Sequence, residues 1–183
     1  MVHAGVPLDN QWKRWPGVSY GLPAQAWVGP HHSAVITGIA RAGIDALIEL
    51  AVEKTPRGRT SRLCDNPQVQ EAVGRADAIL NAGRAYRSAM IAELWNTLAS
   101  GEETTLEQRA RCRLASTYAA DSAREAIDLV YRHGGSTSFK RASRLAECWR
   151  DLHTVGQTVT IAPEWYPIGG RVYLGIDPGP RLR

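Results

Sequence analysis

Ser33-Ala34-Val35-Ile36-Thr37-Gly38-Ile39-Ala40-Arg41-Ala42-Gly43-Ile44-Asp45-Ala46-Leu47-Ile48-Glu49-Leu50-Ala51 is the stretch on which the fold turns. Within it Ile36, Ile39, Ala40, Gly43, Ile44, Leu47, Ile48 and Ala51 recur at steps of three and four, the spacing of one apolar helical face. The spacing predicts a helix from Ser33 to about Glu53, ended by Pro56 and Gly58. Thr55-Pro56-Arg57-Gly58-Arg59-Thr60-Ser61-Arg62 then reads as a basic loop, since Pro and Gly break the pattern and three arginines keep it in water.

The same period continues towards the C-terminus. Asn66 before Pro67 is a helix-start pair, a capping side chain followed by the residue that tolerates the first helical position. The stripe Val69, Val73, Ala76, Leu80, Gly83, Ile91, Leu94 and Leu98 carries that second helix to Ser100-Gly101. Thr104 with Glu107 has the spacing of a capping box and opens a third helix through Ala110, Leu114, Tyr118, Ile127 and Val130, closed at His133-Gly134-Gly135. A fourth helix is predicted from near Ser143, with Leu145, Cys148, Trp149, Leu152, Val155, Gly156 and Val159 as its buried face and Pro163 as its end. The tail from Trp165 onward, rich in Gly and Pro, reads as irregular, with strand character around Val172-Tyr173-Leu174.

Before Pro30 the period is absent. Pro7, Pro16, Pro23 and Pro30 alternate with Trp12, Trp15 and Trp27, so residues 1–30 read as an extended arm whose aromatics pack on something. The expected architecture is therefore all-α: an antiparallel up-down four-helix bundle over residues 31–183, with that extended N-terminal arm and an irregular C-terminal tail.

Composition agrees with one globular domain. The 183 residues are 44% hydrophobic and 22% charged, and a chain of this length buries roughly 70% of its unfolded surface without needing a metal or disulfide. Cys64, Cys112 and Cys148 are scattered and at no metal spacing, which reads as reduced thiols in a cytoplasmic protein. The N-terminus lacks a signal-peptide layout, and no apolar run reaches the length of a membrane span. All but three of the 22 Lys and Arg residues are Arg, against 18 acids, for a formal charge of +4. Arg forks suit phosphate or carboxylate ligands, and an Arg-rich proteome would use them equally as surface cations. Acids alternate with Arg along the helices, so a nucleic-acid stripe is not expected.

Candidate chemistry is sparse. Asp151 and His153 are two apart and do not share a helical face; the expected partner of Asp151 is an Arg of a neighbouring helix. His31 and His32 stand at a predicted helix entrance, where capping or exposure is the ordinary role. Gly134-Gly135-Ser136-Thr137-Ser138 serves either as a C-cap and turn or as a loop whose backbone approaches a flat or phosphate-bearing ligand. There is no GxGxxG, no P-loop and no GxSxG.

Thr37-Gly38-Ile39-Ala40-Arg41, Asn66-Pro67-Gln68-Val69-Gln70, and Gly134-Gly135 followed by Cys148-Trp149-Arg150-Asp151-Leu152-His153 together resemble the C-terminal helical domain of the acyl-CoA dehydrogenase superfamily. The nearest branch is that of the two-component flavin-dependent monooxygenases, and Gly170-Arg171-Val172-Tyr173-Leu174-Gly175 is similar to that branch's ending. The resemblance spans Val18 to Pro178. It implies a domain that assembles into homo-oligomers, dimer or tetramer, and completes an FAD site shared across a subunit interface. On this resemblance Arg57 meets the flavin pyrophosphate, and Gly134, Gly135 and Ser136 lie near its adenosine end. Arg150 and Asp151 match a pair that is structural more often than catalytic.

Two departures follow from the resemblance. The family's N-terminal helical domain and middle β-domain lie outside this sequence, residues 1–30 corresponding to the end of the β-domain. The isolated chain is then expected to bind FAD weakly or not at all and to lack activity, being either a fragment of such a flavoprotein or a gene product that acts with separately encoded flavin and substrate domains. Where the family places a glutamate or histidine base, this chain has Gln157, Thr158 and Val159, none a competent base near neutral pH, so no catalytic residue is assigned. The resemblance implies an FAD-dependent oxidoreductase acting on CH–CH bonds of acyl-CoA-type substrates. Its alternatives are the oxygenase component of a two-component monooxygenase and a non-catalytic oligomerising scaffold.

Overall fold

The computed structural model describes residues 17–182, and every regular element among them is helical. The order is α1 (Ala24–Glu53), α2 (Pro67–Ala99), α3 (Leu106–His133), α4 (Arg144–Val155) and α5 (Trp165–Tyr173), joined partly through short 3-10 turns. The chain is thus all-α, with five α-helices among the described residues where four were expected. Pro7, Trp12, Trp15 and Pro16 of the expected arm lie outside the described residues.

Helix directions alternate along α1 to α4. Along α2 and α3, Glu93 pairs with Arg111, Tyr86 meets Tyr118 edge-on, and Gly83 faces Ser122, a reversed register that makes the two helices antiparallel. Along α1 and α3, Gly29 faces Ser116, Gly43 faces Ile127 and Lys54 reaches Gly134, so these two run parallel. α4 runs back along α1, with Cys148 beside Gly43, and α5 packs on α3.

α3 is the central element because its sequence is small. Ala115, Ala119, Ala120, Ala123 and Ala126 are wholly buried, which lets the neighbouring backbones close in. A Cβ at Gly83 would stand 2.8 Å from Ser122 Oγ and 3.0 Å from the Ala119 backbone. Around this spine Ile36, Ile44, Leu47, Leu80, Ile127 and Leu152 fill the core at 0% exposure, each contributing about 1.5–3 kcal/mol of burial.

Several termini are those the sequence predicted. Asn66 accepts from the Gln68 N–H ahead of Pro67, and Ser143 accepts from the Ala146 N–H at the start of α4. Gly101, at φ +83°, ends α2 with Glu102 N–H to Thr97 O and Gly101 N–H to Leu98 O, a Schellman cap.

Four expectations need correction. The capping box of α3 is one residue later than read: Thr105 and Gln108 bond reciprocally, and Gln108 also reaches Thr97 at the end of α2. α1 begins at Ala24, so residues 24–30 are helical and Pro30 lies inside the helix. Pro30 has no N–H for the Ala26 carbonyl; that carbonyl instead receives the Cys112 thiol at 4.0 Å, while His31 and His32 bond the next two carbonyls, of Trp27 and Val28. α4 stops at Val155, leaving Val159 exposed in a 3-10 turn. The tail forms α5 instead of a strand, because Gly169 packs directly on Leu114 and the Arg113 guanidinium lies 3.6 Å over the Trp165 ring.

Candidate functional site

The parallel run of α1 and α3 brings their C-terminal ends together, and Lys54 joins them. As the C-cap of α1, Lys54 sends Nζ to the Gly134 carbonyl at 2.8 Å and to Thr137 Oγ1 at 2.9 Å. A cation here also meets the negative end of α3. The Lys54 carbonyl accepts the Leu63 N–H at 2.8 Å and so closes the base of the loop 55–62. One residue therefore ties the basic loop to the glycine turn, which are 80 residues apart in sequence.

Arg57, Arg59 and Arg62 on this loop are exposed, and Gly58 makes the turn between the first two at φ +76°. Gly134 caps α3 and is buried; a Cβ there would overlap Ser138 Oγ and press on Leu145, so its smallness is a packing requirement. Gly135 is different. Its φ of +60° is one L side chains rarely adopt, and a Cβ there would point at Lys54 Nζ. Ser136 is exposed at the tip of the turn. Arg57, Gly135 and Ser136 are thus placed at one end of the domain by the Lys54 clamp. Beside them a cleft of about 290 Å³ opens between α1 and α4, lined by Glu49, Glu53, Thr137 and Arg144 among others.

This end offers exposed guanidinium groups and an approachable backbone, the donor set for a diphosphate. Among the described residues no group of three or more His, Cys, Asp or Glu could hold a metal ion. No described helix is long and apolar enough to cross a membrane.

The Arg150-Asp151 expectation is not met. Both are exposed, and no ion pair links Asp151 to an Arg of another helix among the described residues. The carboxylate that organises α4 is Asp128 of α3, whose Oδ1 accepts from Trp149 Nε1 at 2.7 Å and lies 3.0 Å from His153 Nε2. Trp149 stacks on Tyr131 at 5.0 Å between ring centres. Spacing could show that Trp149 and His153 share a face of α4, but no local signal identified Asp128 as their acceptor. The Gln157 position lies just past α4, in a turn, with Nε2 donating back to the His153 carbonyl.

These elements make up an all-helical domain with a basic loop and a glycine turn at one end, and comparison with known proteins names its family. Residues 31–162 match the family model described as "Acyl-CoA dehydrogenase, C-terminal domain", and the chain belongs to that family. It is 29% identical over 180 residues to an indole-3-acetate monooxygenase of Pseudomonas putida, covering 98% of this chain and 44% of that protein. A pigment production hydroxylase of Rhodococcus erythropolis is 33% identical over 121 residues, 65% of this chain and 30% of that protein. Among solved structures, the 3-HSA hydroxylase from Rhodococcus sp. RHA1 superposes with a TM-score of 0.85 at 24% identity, over 93% of this chain and 44% of that one. XiaF from Streptomyces sp., solved in complex with FADH2 and glycerol, gives a TM-score of 0.79 at 20% identity, over 87% and 42%. The chain spans less than half the length of these relatives.

Proposed function

We propose that this chain forms the C-terminal helical part of a flavin-dependent oxidoreductase, supplying an oligomer interface and one side of an FAD site. The observation that carries the reading is the Lys54 clamp, which sets the exposed Arg57 loop beside the Gly134-Gly135-Ser136 turn. Arg57 would hold the diphosphate, and Gly135 and Ser136 would border the adenosine end across a subunit interface. The bound flavin supplies the redox chemistry; this chain's residues bind and orient it. The cellular setting proposed is cytoplasmic, with dimers or tetramers assembled through this domain.

Between the two chemistries, oxygenation by a reduced flavin is the better supported. What supports it is that the curated relatives reported above are a monooxygenase and a hydroxylase. The Gln157 position, in a turn past α4, lacks the glutamate of the dehydrogenases and the histidine of the monooxygenases alike, and so favours neither. CH–CH dehydrogenation of acyl-CoA substrates stands as the second reading.

The test is the absorption spectrum of the purified chain after addition of FAD and removal of free flavin on a sizing column, alone and with the N-terminal and β-domains of a relative supplied in trans. Retained flavin in an oligomeric peak supports the reading, and Arg57→Ala should then weaken retention about tenfold, the loss of one charge-assisted contact. An oligomer that stays colourless with every partner overturns it in favour of a scaffold.

A further inference from the structure

The outward side of α2 repeats as regularly as its inward side. Ala78, Ala82, Ala85, Ala89 and Ala92 recur at steps of four and three, and all five are exposed. The other exposed positions among them are Asn81 and Ser88. Over about 21 Å of helix, at 1.5 Å per residue, the outer face of α2 therefore carries no charge. A helix lying on a core normally turns charged side chains to water, as α4 does with Arg144, Glu147, Arg150 and Asp151.

The stripe runs into an aromatic surface. Tyr86, beside Ala85 and Ala89, meets Tyr118 of α3 edge-on at 6.2 Å between ring centres. Tyr118 lies between Leu114 and Asp121 on one side of α3, and α5 is laid along that side. Gly169 packs on Leu114 there, and the Tyr166 hydroxyl donates to Asp121 Oδ2 at 2.7 Å. Tyr173, seven residues after Tyr166, returns to the same side of α5. Four of the chain's six tyrosines thus share one face, with Tyr118 at 44% and Tyr173 at 55% exposure. Glu93 and Asp121, which border them, are already paired with Arg111 and Arg124.

We propose that this α2–α3–α5 face meets a second copy of the chain across a two-fold axis near Ala85, the alanines packing on α2 of the partner and the tyrosines flanking them. The proposal names the surface behind the oligomer reading above and rests on that reading. The choice of occupant follows from symmetry. A two-fold axis sets identical groups against each other, which a patch of like charge opposes. Methyl groups pack on methyl groups, and a tyrosine hydroxyl both donates and accepts. Alanine also lets two helices approach to about 8 Å, the close end of helix packing. No cation stands on the stripe to recruit a nucleic acid or an anionic membrane. The size agrees: about 21 Å by three helix widths of about 10 Å is on the order of 600 Å² in outline. Side-chain relief raises that towards the about 800 Å² per partner that a stable dimer buries.

Sedimentation equilibrium of the full chain tests this, and the parent should be a dimer or a larger even-numbered oligomer. Ala85 is exposed, so Ala85→Glu should keep the helical circular dichroism of the parent. It also sets two carboxylates face to face at the axis, and should raise the dissociation constant at least about 100-fold. Ala142→Glu, exposed in the loop ahead of α4, should change nothing. Independently of folding effects from a new charge, Ala85→Cys in a Cys64→Ser background should give a disulfide-linked homodimer under mild oxidation, and Ala142→Cys should not. A monomeric parent overturns both this interface and the oligomer reading. An oligomeric parent whose Ala85→Glu variant associates as tightly, or whose Ala85→Cys variant forms no cross-link, assigns oligomerisation to another surface and overturns the interface alone.

Discussion

The two halves of α1 are finished in different ways. At its C-terminal end the polar groups are met from within the chain: Lys54 bonds α3's last carbonyl and Thr137, and its own carbonyl accepts the Leu63 N–H. Nearer the N-terminus the interior side is equally well made, with Cys112 covering the Ala26 carbonyl and Gly29 giving room to Arg113. The outer side there is looser, with the Arg87 guanidinium meeting only the Thr37 hydroxyl. Both halves leave apolar side chains in water, Val35 at 54% and Val52 at 49% exposure, so what separates them is the polar joint: Lys54 closes one within the chain, and nothing comparable ties the outer side of the N-terminal half.

Substitutions should separate the two halves in proportion to how far each is satisfied internally. The largest effect is expected from Gly134→Ala, whose methyl group would overlap Ser138 Oγ; overpacking of this kind costs about 2–3 kcal/mol, read from urea unfolding. Unchanged stability would mean that the glycine turn is loosely packed and free for a ligand.

Next comes a pH effect at the interior of the N-terminal half. Burial pushes the Cys112 thiol up to about 11 from an ordinary 9.0. The folded state thus holds this proton more tightly than the unfolded chain, so the contribution is fully present below about pH 9 and lost as pH rises through 11. Unfolding free energy should fall by about 2 kcal/mol across that window, and Cys112→Ala should flatten this part of the slope. An identical slope in the variant would place the titration elsewhere.

Lys54→Met keeps the aliphatic stem and removes two hydrogen bonds, so a loss of about 1–2 kcal/mol is expected, together with faster hydrogen exchange at the Leu63 amide. The smallest effect belongs to the open half. Arg87→Gln should leave thermal stability within about 0.5 kcal/mol of the parent or raise it, since the burial of a charge is relieved while one bond to a hydroxyl is lost. A loss comparable to that of Lys54→Met would erase the contrast between the halves.

Much of the helical layout was legible because it is written in short-range terms. Asn66-Pro67, Ser100-Gly101 and Ser143 act on backbone groups within a few residues of themselves, so their meaning does not depend on the rest of the fold. Gly134, Gly135 and Ser136 were legible as a turn or a ligand-approaching loop and Arg57 as part of a basic loop, but their joint assignment to a flavin came only by resemblance, and that they stand at one end of the domain was not readable at all. It depends on α1 and α3 running parallel and on a lysine reaching across 80 residues.

The periodic apolar stripes, the caps and the breakers determined by themselves that this chain would be helical, and roughly where most of its helices begin and end. Tertiary structure decided the remainder. It continued α1 through Pro30 by giving the stranded Ala26 carbonyl a thiol, and it made a helix of Trp165–Tyr173 by setting Gly169 on Leu114 and an arginine over Trp165. It also chose Asp128 over Asp151 as the acceptor for Trp149 and His153. The physical reason is common to all three: a buried polar group or a close backbone contact takes whichever partner packing brings near, and sequence spacing carries that information only within one helix.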